Sequence, residues 1–120
     1  MTALNVMSFD DLSAVKPQVE TTRDEIMLGG NAKSTTWLIS ESPDGKIFTG
    51  IWQSDRFHIR LRQSGETEYC NILEGVVRLT DAEGNISTFT AGQAFTLGPD
   101  FDGEWESCGR VRKHFVVYAP

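Results

Sequence analysis

A carboxylate stands at the head of a largely apolar run in the middle of the chain. Glu68 begins the stretch EYCNILEGVVRLTDAEGNISTFTAG, and many of the residues that follow it are of the types that fill a protein core. A lone carboxylate in such surroundings would have a raised pKa, because burial disfavours its charged form. We therefore expect Glu68 to pair with a basic group or to act as an acid or base, and it is the best catalytic candidate in the chain.

Three basic side chains could pair with Glu68. Arg60 and Arg62 lie on the preceding predicted strand, across the Ser64-Gly65 turn, and Lys113 lies on the last predicted strand. Oppositely charged neighbours on adjacent strands interact directly. Inside a barrel, such a pair could hold a small polar or anionic ligand. On the outside it would contribute about 1 kcal/mol or less, and the sequence leaves both locations open.

Two tryptophans could frame such a ligand. An aromatic wall with a few placed polar groups is typical of small-molecule sites, so we include Trp52 and Trp105 among the ligand-binding candidates. Core packing is the alternative for both, and more so for Trp37. Cys70 alternates with Glu68 and shares its face. A buried thiol beside a carboxylate is poorly ionised and a poor nucleophile, so we interpret Cys70 as a packing residue.

The elements that must position these side chains are short strands. Phe57 to Gln63 alternates strictly, with Phe57, Ile59 and Leu61 on one face and His58, Arg60 and Arg62 on the other. Similar runs recur at spacings of about 8–12 residues, separated by turn formers such as Ser42-Pro43-Asp44-Gly45. Roughly eight or nine such runs and no long helix predict an all-β sandwich or barrel.

The N-terminal third is predicted to be different. Ser8 can cap a helix, and Asp10 and Asp11 favour its positive end, so we expect a short helix that Pro17 ends. An extended N-terminal arm (residues 18–33) follows, with a short edge strand at residues 25–28. We assign residues 1–34 to the helix and arm and residues 35–120 to the barrel, within a single domain.

Charge and composition exclude several classes of function. The net charge of −6 argues against nucleic acid and against anionic membrane surfaces as partners. We expect no signal peptide, and no apolar stretch approaches the roughly 20 residues of a membrane span. Cys70 and Cys108 form no CxxC pair. These features predict a cytoplasmic protein with two free thiols.

The glycine and aromatic frame resembles that of a known superfamily. Glu68, six residues, Gly75, then Gly84, Gly92-x-Ala-Phe, Phe101-x-Gly103-x-Trp105 and Arg112-Lys113 resemble the cupins. More narrowly, the chain is similar to small single-domain cupins of the DUF861 type, which are related to the cupin domain of ureidoglycine aminohydrolase. This resemblance implies a jelly-roll barrel (a double-stranded β-helix), a ligand cavity at one mouth and a homodimer.

The resemblance also implies where a metal would be held. Metal-binding cupins place His-x-His shortly before the glutamate, and a further histidine after a Pro-x-Gly. This chain has residues 62–65, RQSG, at the first place and Gly103 near the second, so only Glu68 remains. One carboxylate does not hold a divalent metal against water, and we expect neither metal nor cofactor. A rearranged site using Glu68, His58, His114 and Cys70 is the alternative.

Three functions follow from these residues. The first is a cupin that binds a small polar or anionic metabolite without a metal, through Arg60, Arg62 or Lys113. The second is an enzyme similar to ureidoglycine aminohydrolase, or a metal-free lyase or isomerase in which Glu68 acts as acid and base. The third is a dimeric interaction scaffold without catalysis, and the fold alone does not decide among them.

Overall fold

The computed structural model describes residues 6–120, which form two antiparallel β-sheets. Six strands make one sheet: β1 (Gln18–Thr21), β3 (Lys33–Glu41), β4 (Ile47–Ser54), β6 (Thr67–Glu74), β9 (Ala94–Leu97) and β11 (Val111–Tyr118). Five make the other: β2 (Met27–Gly30), β5 (Phe57–Arg62), β7 (Val76–Thr80), β8 (Ile86–Thr90) and β10 (Asp102–Ser107). The predicted all-β jelly-roll architecture is confirmed.

Strand order brings distant parts of the chain together. The six-stranded sheet runs β1-β3-β4-β11-β6-β9, so the last strand lies between β4 and β6. The five-stranded sheet runs β2-β5-β10-β7-β8. Because β11 pairs with both β4 and β6, Lys113 is opposite Trp52 on one side and Ile72 on the other.

The core lies between the two sheets and is built from alternating positions. Its buried members come from both sheets: Phe57, Ile59, Cys70, Ile72, Val77, Leu79, Leu97, Trp105 and Val111. On β5 the three apolar residues Phe57, Ile59 and Leu61 pack inward, on one face of the strand, as the sequence predicts. Burial of this apolar surface is the main force that holds the sheets together.

The predicted N-terminal helix is wrong. Ser8 does accept hydrogen bonds from the backbone N–H groups of Asp10 and Asp11, at 3.0 and 3.3 Å. No helix follows, because the Asp11 carboxylate accepts the backbone N–H of Ser13 instead, and the segment forms bends and turns. A helix this short gains too few hydrogen bonds to offset the cost of its first turn.

The N-terminal arm supplies an edge strand to each sheet. β1 pairs with β3 and β2 pairs with β5, with the short 3₁₀ helix Asp24–Ile26 between them. The predicted edge strand at residues 25–28 is therefore displaced by about two residues, to β2. The arm covers edges that β3 and β5 would otherwise expose to other chains.

Two glycines illustrate different backbone requirements. Gly75 joins β6 to β7 with φ of 92°, and a Cβ there would strike the backbone carbonyl of Arg110. Gly84 has φ of 84° in the turn before β8, and a Cβ there would meet nothing within 4 Å. Both φ values favour glycine. Gly75 therefore permits a close approach between strands, and Gly84 permits a turn with a positive φ.

None of the helices in residues 6–120 is long and apolar enough to cross a membrane.

Candidate functional site

A buried ion pair lies on the inner face of the six-stranded sheet. Lys113 on β11 donates a hydrogen bond to Oε2 of Glu68 on β6, with a nitrogen–oxygen distance of 2.6 Å. The side chain of Lys113 is 8% exposed and that of Glu68 is 18% exposed. Glu68 therefore faces the interior, and Lys113, of the three basic candidates, is its partner.

The two charges hold each other ionised. Burial alone would raise the pKa of Glu68, but the ammonium of Lys113 beside it keeps that pKa below its usual range. Burial would likewise lower the pKa of Lys113, but the Glu68 carboxylate keeps it above its usual value. The site therefore presents an ammonium and a carboxylate side by side at neutral pH.

Two indole rings enclose the ammonium group. Nζ of Lys113 lies 4.3 Å from the ring centroid of Trp105 and 5.0 Å from that of Trp52. The two rings meet edge to face, with centroids 5.7 Å apart. Trp105 donates from Nε1 to the hydroxyl of Ser107 at 3.0 Å, which fixes its ring. The cation is therefore held by π faces as well as by the carboxylate.

Cys70 completes this group of side chains. Its Sγ lies 3.2 Å from Oε2 of Glu68 and 3.6 Å from Nζ of Lys113. Burial raises the pKa of the Cys70 thiol to about 12, and the neighbouring Glu68 carboxylate acts in the same direction. The thiol is therefore protonated and unreactive, which agrees with its interpretation as a packing residue.

The ion pair and the tryptophans line a cavity of about 220 Å³. Apolar side chains of β5 form another wall, and residues of the N-terminal third also line the cavity. The lining residues are Glu20, Thr22, Ile26, Ser34, Trp52, Phe57, Ile59, Leu61, Glu68, Trp105 and Lys113. We call this space the cavity. Four of the six predicted ligand-binding residues line it: Trp52, Glu68, Trp105 and Lys113.

Arg60 and Arg62 are not brought to the cavity. Both are exposed on the outer side of the five-stranded sheet, and Arg60 lies 3.6 Å from Asp102. The alternation of β5 explains this placement, because the neighbouring Phe57, Ile59 and Leu61 turn inward. The predicted pairing of these arginines with Glu68 is wrong.

Seven of the eleven cavity residues were not predicted as ligand contacts: three belong to the apolar face of β5, and the other four lie in the N-terminal third. Glu20, Thr22, Ile26 and Ser34 belong to the arm and to the start of β3, where composition gives little pattern. Lys113, in contrast, carries a usable signal. Val111, Lys113 and Phe115 stand at alternate positions of β11 and therefore point to the same side. A lysine among inward-facing apolar residues indicates a buried charge.

The donor atoms near Glu68 do not suit a metal ion. Among residues 6–120, no three His, Cys, Asp or Glu side chains are grouped as metal ligands would be. His58 bonds Glu104 at 2.7 Å across the five-stranded sheet, whereas His114 packs its ring against Phe9. The rearranged site from Glu68, His58, His114 and Cys70 is therefore not assembled, and Lys113 occupies the space beside the carboxylate with a positive charge.

The family model described as EutQ-like cupin domain matches residues 41–115 of the chain. No curated protein matches this chain. A DUF861-family protein of unknown function from Pseudomonas syringae pv. tomato DC3000 has a similar structure, with a TM-score of 0.77 and 22% identity. The match covers 88% of this chain but only 45% of that protein, so the chain spans less than half of its length.

Two further solved structures are similar. A predicted oxalate decarboxylase from Thermotoga maritima has a TM-score of 0.72 and 16% identity, with 96% of this chain and 99% of that chain covered. The EutQ protein of Clostridium difficile has a TM-score of 0.60 and 10% identity, with 83% and 81% covered. At such identities the likeness shows a shared fold and no shared activity.

Proposed function

The chain belongs to the EutQ-like cupin family, and we propose that its cavity binds a small polar metabolite without the usual cupin metal. The observation that carries this proposal is the Lys113–Glu68 ion pair inside an aromatic-walled cavity. Buried charges cost free energy, and a purely structural core is served equally well by apolar residues. An ion pair that borders a cavity supplies polar recognition groups where a ligand can reach them.

The pair sets the polarity of the ligand. The ammonium offers N–H donors, and the carboxylate offers lone pairs beyond those that Lys113 and Cys70 use. Because the two charges compensate each other, the pair suits a ligand with both donors and acceptors better than one of high net charge. The indoles of Trp52 and Trp105 can cover its apolar part.

The cavity also limits ligand size. Its volume of about 220 Å³ is smaller than the roughly 300–1,000 Å³ of pockets for drug-sized ligands. The ligand class is therefore a metabolite of a few carbon atoms, such as a hydroxy acid, an amide or a ureide.

Ligand binding is better supported than acid–base catalysis. A general base works best when its pKa lies near the operating pH. Lys113 keeps the pKa of Glu68 below the usual carboxylate range, so the carboxylate is a weak base and carries no proton to donate. The catalytic role considered for Glu68 has correspondingly little support.

A thermal-shift and tryptophan-fluorescence screen of short carboxylates, amides, ureides and sugars tests the proposal. We expect at least one compound to raise the melting temperature and to change the fluorescence of the cavity indoles. The double variant Lys113→Met/Glu68→Gln should lose that response, because it removes the polar groups without leaving a buried charge. Arg110→Gln is the matched control, since Arg110 is exposed and forms only a surface pair with Glu74 at 3.7 Å.

Two results would contradict this function. If no compound in the screen stabilises the protein, the barrel serves as a scaffold. If a stabilising compound acts equally on the double variant, it binds somewhere other than the cavity.

We also propose that the protein is a homodimer. Support comes from apolar side chains exposed on neighbouring strands of the six-stranded sheet: Tyr69 on β6, Val116 and Tyr118 on β11 and Ile47 on β4. The register places Val116 beside Tyr69, and Tyr118 beside Ile47. A second copy of the chain would cover this face.

Sedimentation at micromolar concentration should show a dimer, and Val116→Lys should shift it towards the monomer. Leu28→Lys, at an exposed apolar residue of the other sheet, is the control. A monomer for the unaltered protein would refute the dimer.

A cytoplasmic location is a further proposal. Cys70 is buried and Cys108 is exposed, and both are unpaired, as expected from the sequence. Unpaired thiols are typical of reducing compartments.

A further inference from the structure

Three arginines line a second recess, which adjoins the cavity. Arg60 and Arg62 come from β5, and Arg23 comes from the arm, directly before the 3₁₀ helix. Ile26, Leu61 and Asp102 complete the lining of this space of about 380 Å³. We call it the arginine recess.

We propose that the arginine recess binds an oxyanion with two or more negative charges, of the phosphate or the dicarboxylate type. Arg23, Arg60 and Arg62 line the recess together with a single acidic residue, Asp102. The residues that line the recess therefore carry three positive charges and one negative charge, on a protein whose net charge is −6. Concentrating arginines at one concave site of an acidic protein favours a specific anion.

The guanidinium groups are available to a ligand. Asp102 lies 3.6 Å from Arg60 only, and both side chains are substantially exposed. No ion pair within residues 6–120 involves Arg23 or Arg62. The planar fork of an arginine matches the oxygens of phosphate and carboxylate in pairs, so Arg23 and Arg62 could each donate two hydrogen bonds.

The fold explains how the three residues meet. β5 alternates, so Arg60 and Arg62 emerge on the same outer face, two residues apart. The arm crosses from β1 in the six-stranded sheet to β2 in the five-stranded sheet, where β2 pairs with β5. This pairing anchors the segment that carries Arg23. The recess therefore exists only because the arm is bound to the barrel, and β5 alone contributes two of its three cations.

The arginine recess also extends what the cavity can recognise. Ile26 and Leu61 line both spaces, so only these two apolar side chains are shared between them. A ligand with a polar group in the cavity could place its anionic group among the arginines. The oxyanion site itself rests on Arg23, Arg60 and Arg62 and does not depend on the function proposed for the cavity.

Isothermal titration calorimetry of the full chain at low ionic strength tests the site. Pyrophosphate is titrated in one experiment and succinate in another. We expect saturable binding of at least one, weakened about tenfold by Arg23→Gln and by Arg62→Gln. Binding should also weaken as salt is added. The anion that binds more tightly shows whether the site prefers a phosphate-like or a carboxylate-like ligand.

Matched variants locate the anion. Arg110→Gln removes an exposed arginine outside the recess and should leave binding unchanged. Arg62→Lys keeps the positive charge but loses the planar fork of the guanidinium group. Its affinity for the anion should therefore lie between that of the unaltered protein and that of Arg62→Gln. Lys113→Met/Glu68→Gln should leave binding unchanged, because these residues line the cavity and not the recess.

Three outcomes would overturn the inference. The first is no saturable binding of either anion. The second is binding that Arg23→Gln and Arg62→Gln leave intact. The third is binding that is lost in the Lys113→Met/Glu68→Gln variant while the arginine variants retain it, which would place the anion in the cavity.

Discussion

Lys113→Met should destabilise the fold by about 3 kcal/mol at pH 7, the low end of what breaking a buried ion pair costs. The substitution keeps most of the side-chain volume but leaves the Glu68 carboxylate in the interior without its ammonium partner. Glu68 must then take up a proton or remain as an uncompensated charge, and both cost free energy. Urea denaturation monitored by tryptophan fluorescence would measure the loss.

Three comparisons isolate the charge from the packing. Adding Glu68→Gln to Lys113→Met should recover most of the stability, because a neutral amide is far cheaper to bury than a carboxylate. The deficit of the single variant should also shrink as the pH falls towards about 4, because the buried, unpaired carboxylate takes up a proton at a higher pH than the same group in the unfolded chain. Arg110→Met breaks an exposed pair and should cost less than about 1 kcal/mol. If Lys113→Met costs no more than Arg110→Met, the buried pair is not important for stability.

The sheet architecture could be predicted because each strand carries its own local signals. The alternation in β5 and the turn residues around Gly84 appear in the sequence as they appear in the fold. The helix predicted at Ser8 failed for an equally local reason. Its capping hydrogen bonds are present, but capping only stabilises a helix that other interactions form, and the segment is too short to form one.

The partner of Glu68 could not be chosen from sequence because adjacency along the chain favoured the wrong side chains. Arg60 and Arg62 are close in sequence, but their parity on β5 directs them outward. Lys113 is 45 residues away and reaches Glu68 only because β11 inserts between β4 and β6. Strand order of this kind depends on the whole chain, and alternation gives the face of a side chain without giving its neighbour.

The N-terminal arm was the least predictable part of the site. Glu20, Thr22 and Ile26 line the cavity, and Arg23 lines the arginine recess, yet this segment lacks a clear period. Its position is set by pairing with β3 and β5 at the sheet edges. Edge pairing uses backbone groups, which every sequence has, so it leaves a weak trace in residue types.

The stability of the protein should fall steeply above pH 9, and Cys70 should be a main reason. The folded thiol has a pKa of about 12, against 9.0 for a free thiol, so the folded state retains a proton that the unfolded chain releases. A group with a raised folded pKa stabilises the fold below its unfolded pKa, and this contribution is lost as pH rises through the folded value. The free energy of unfolding should therefore fall by about 1.4 kcal/mol per pH unit for this group, or about 4 kcal/mol by pH 12.

Denaturation at a series of pH values between 8 and 11, under reducing conditions, would test this dependence. Cys70→Ala should be less stable than the unaltered protein at pH 7, because it leaves a small void, but its stability should fall less steeply with pH. Some alkaline loss should remain, since the raised pKa of Lys113 acts in the same direction at higher pH. Cys108→Ala, at an exposed thiol, should keep the slope of the unaltered protein.

Equal slopes for Cys70→Ala and the unaltered protein would mean that the Cys70 thiol ionises as readily in the folded state as in the unfolded chain. In that case the group of Glu68, Cys70 and Lys113 would be open to water, and the proposed selective binding of a small polar ligand by this group would lose its support.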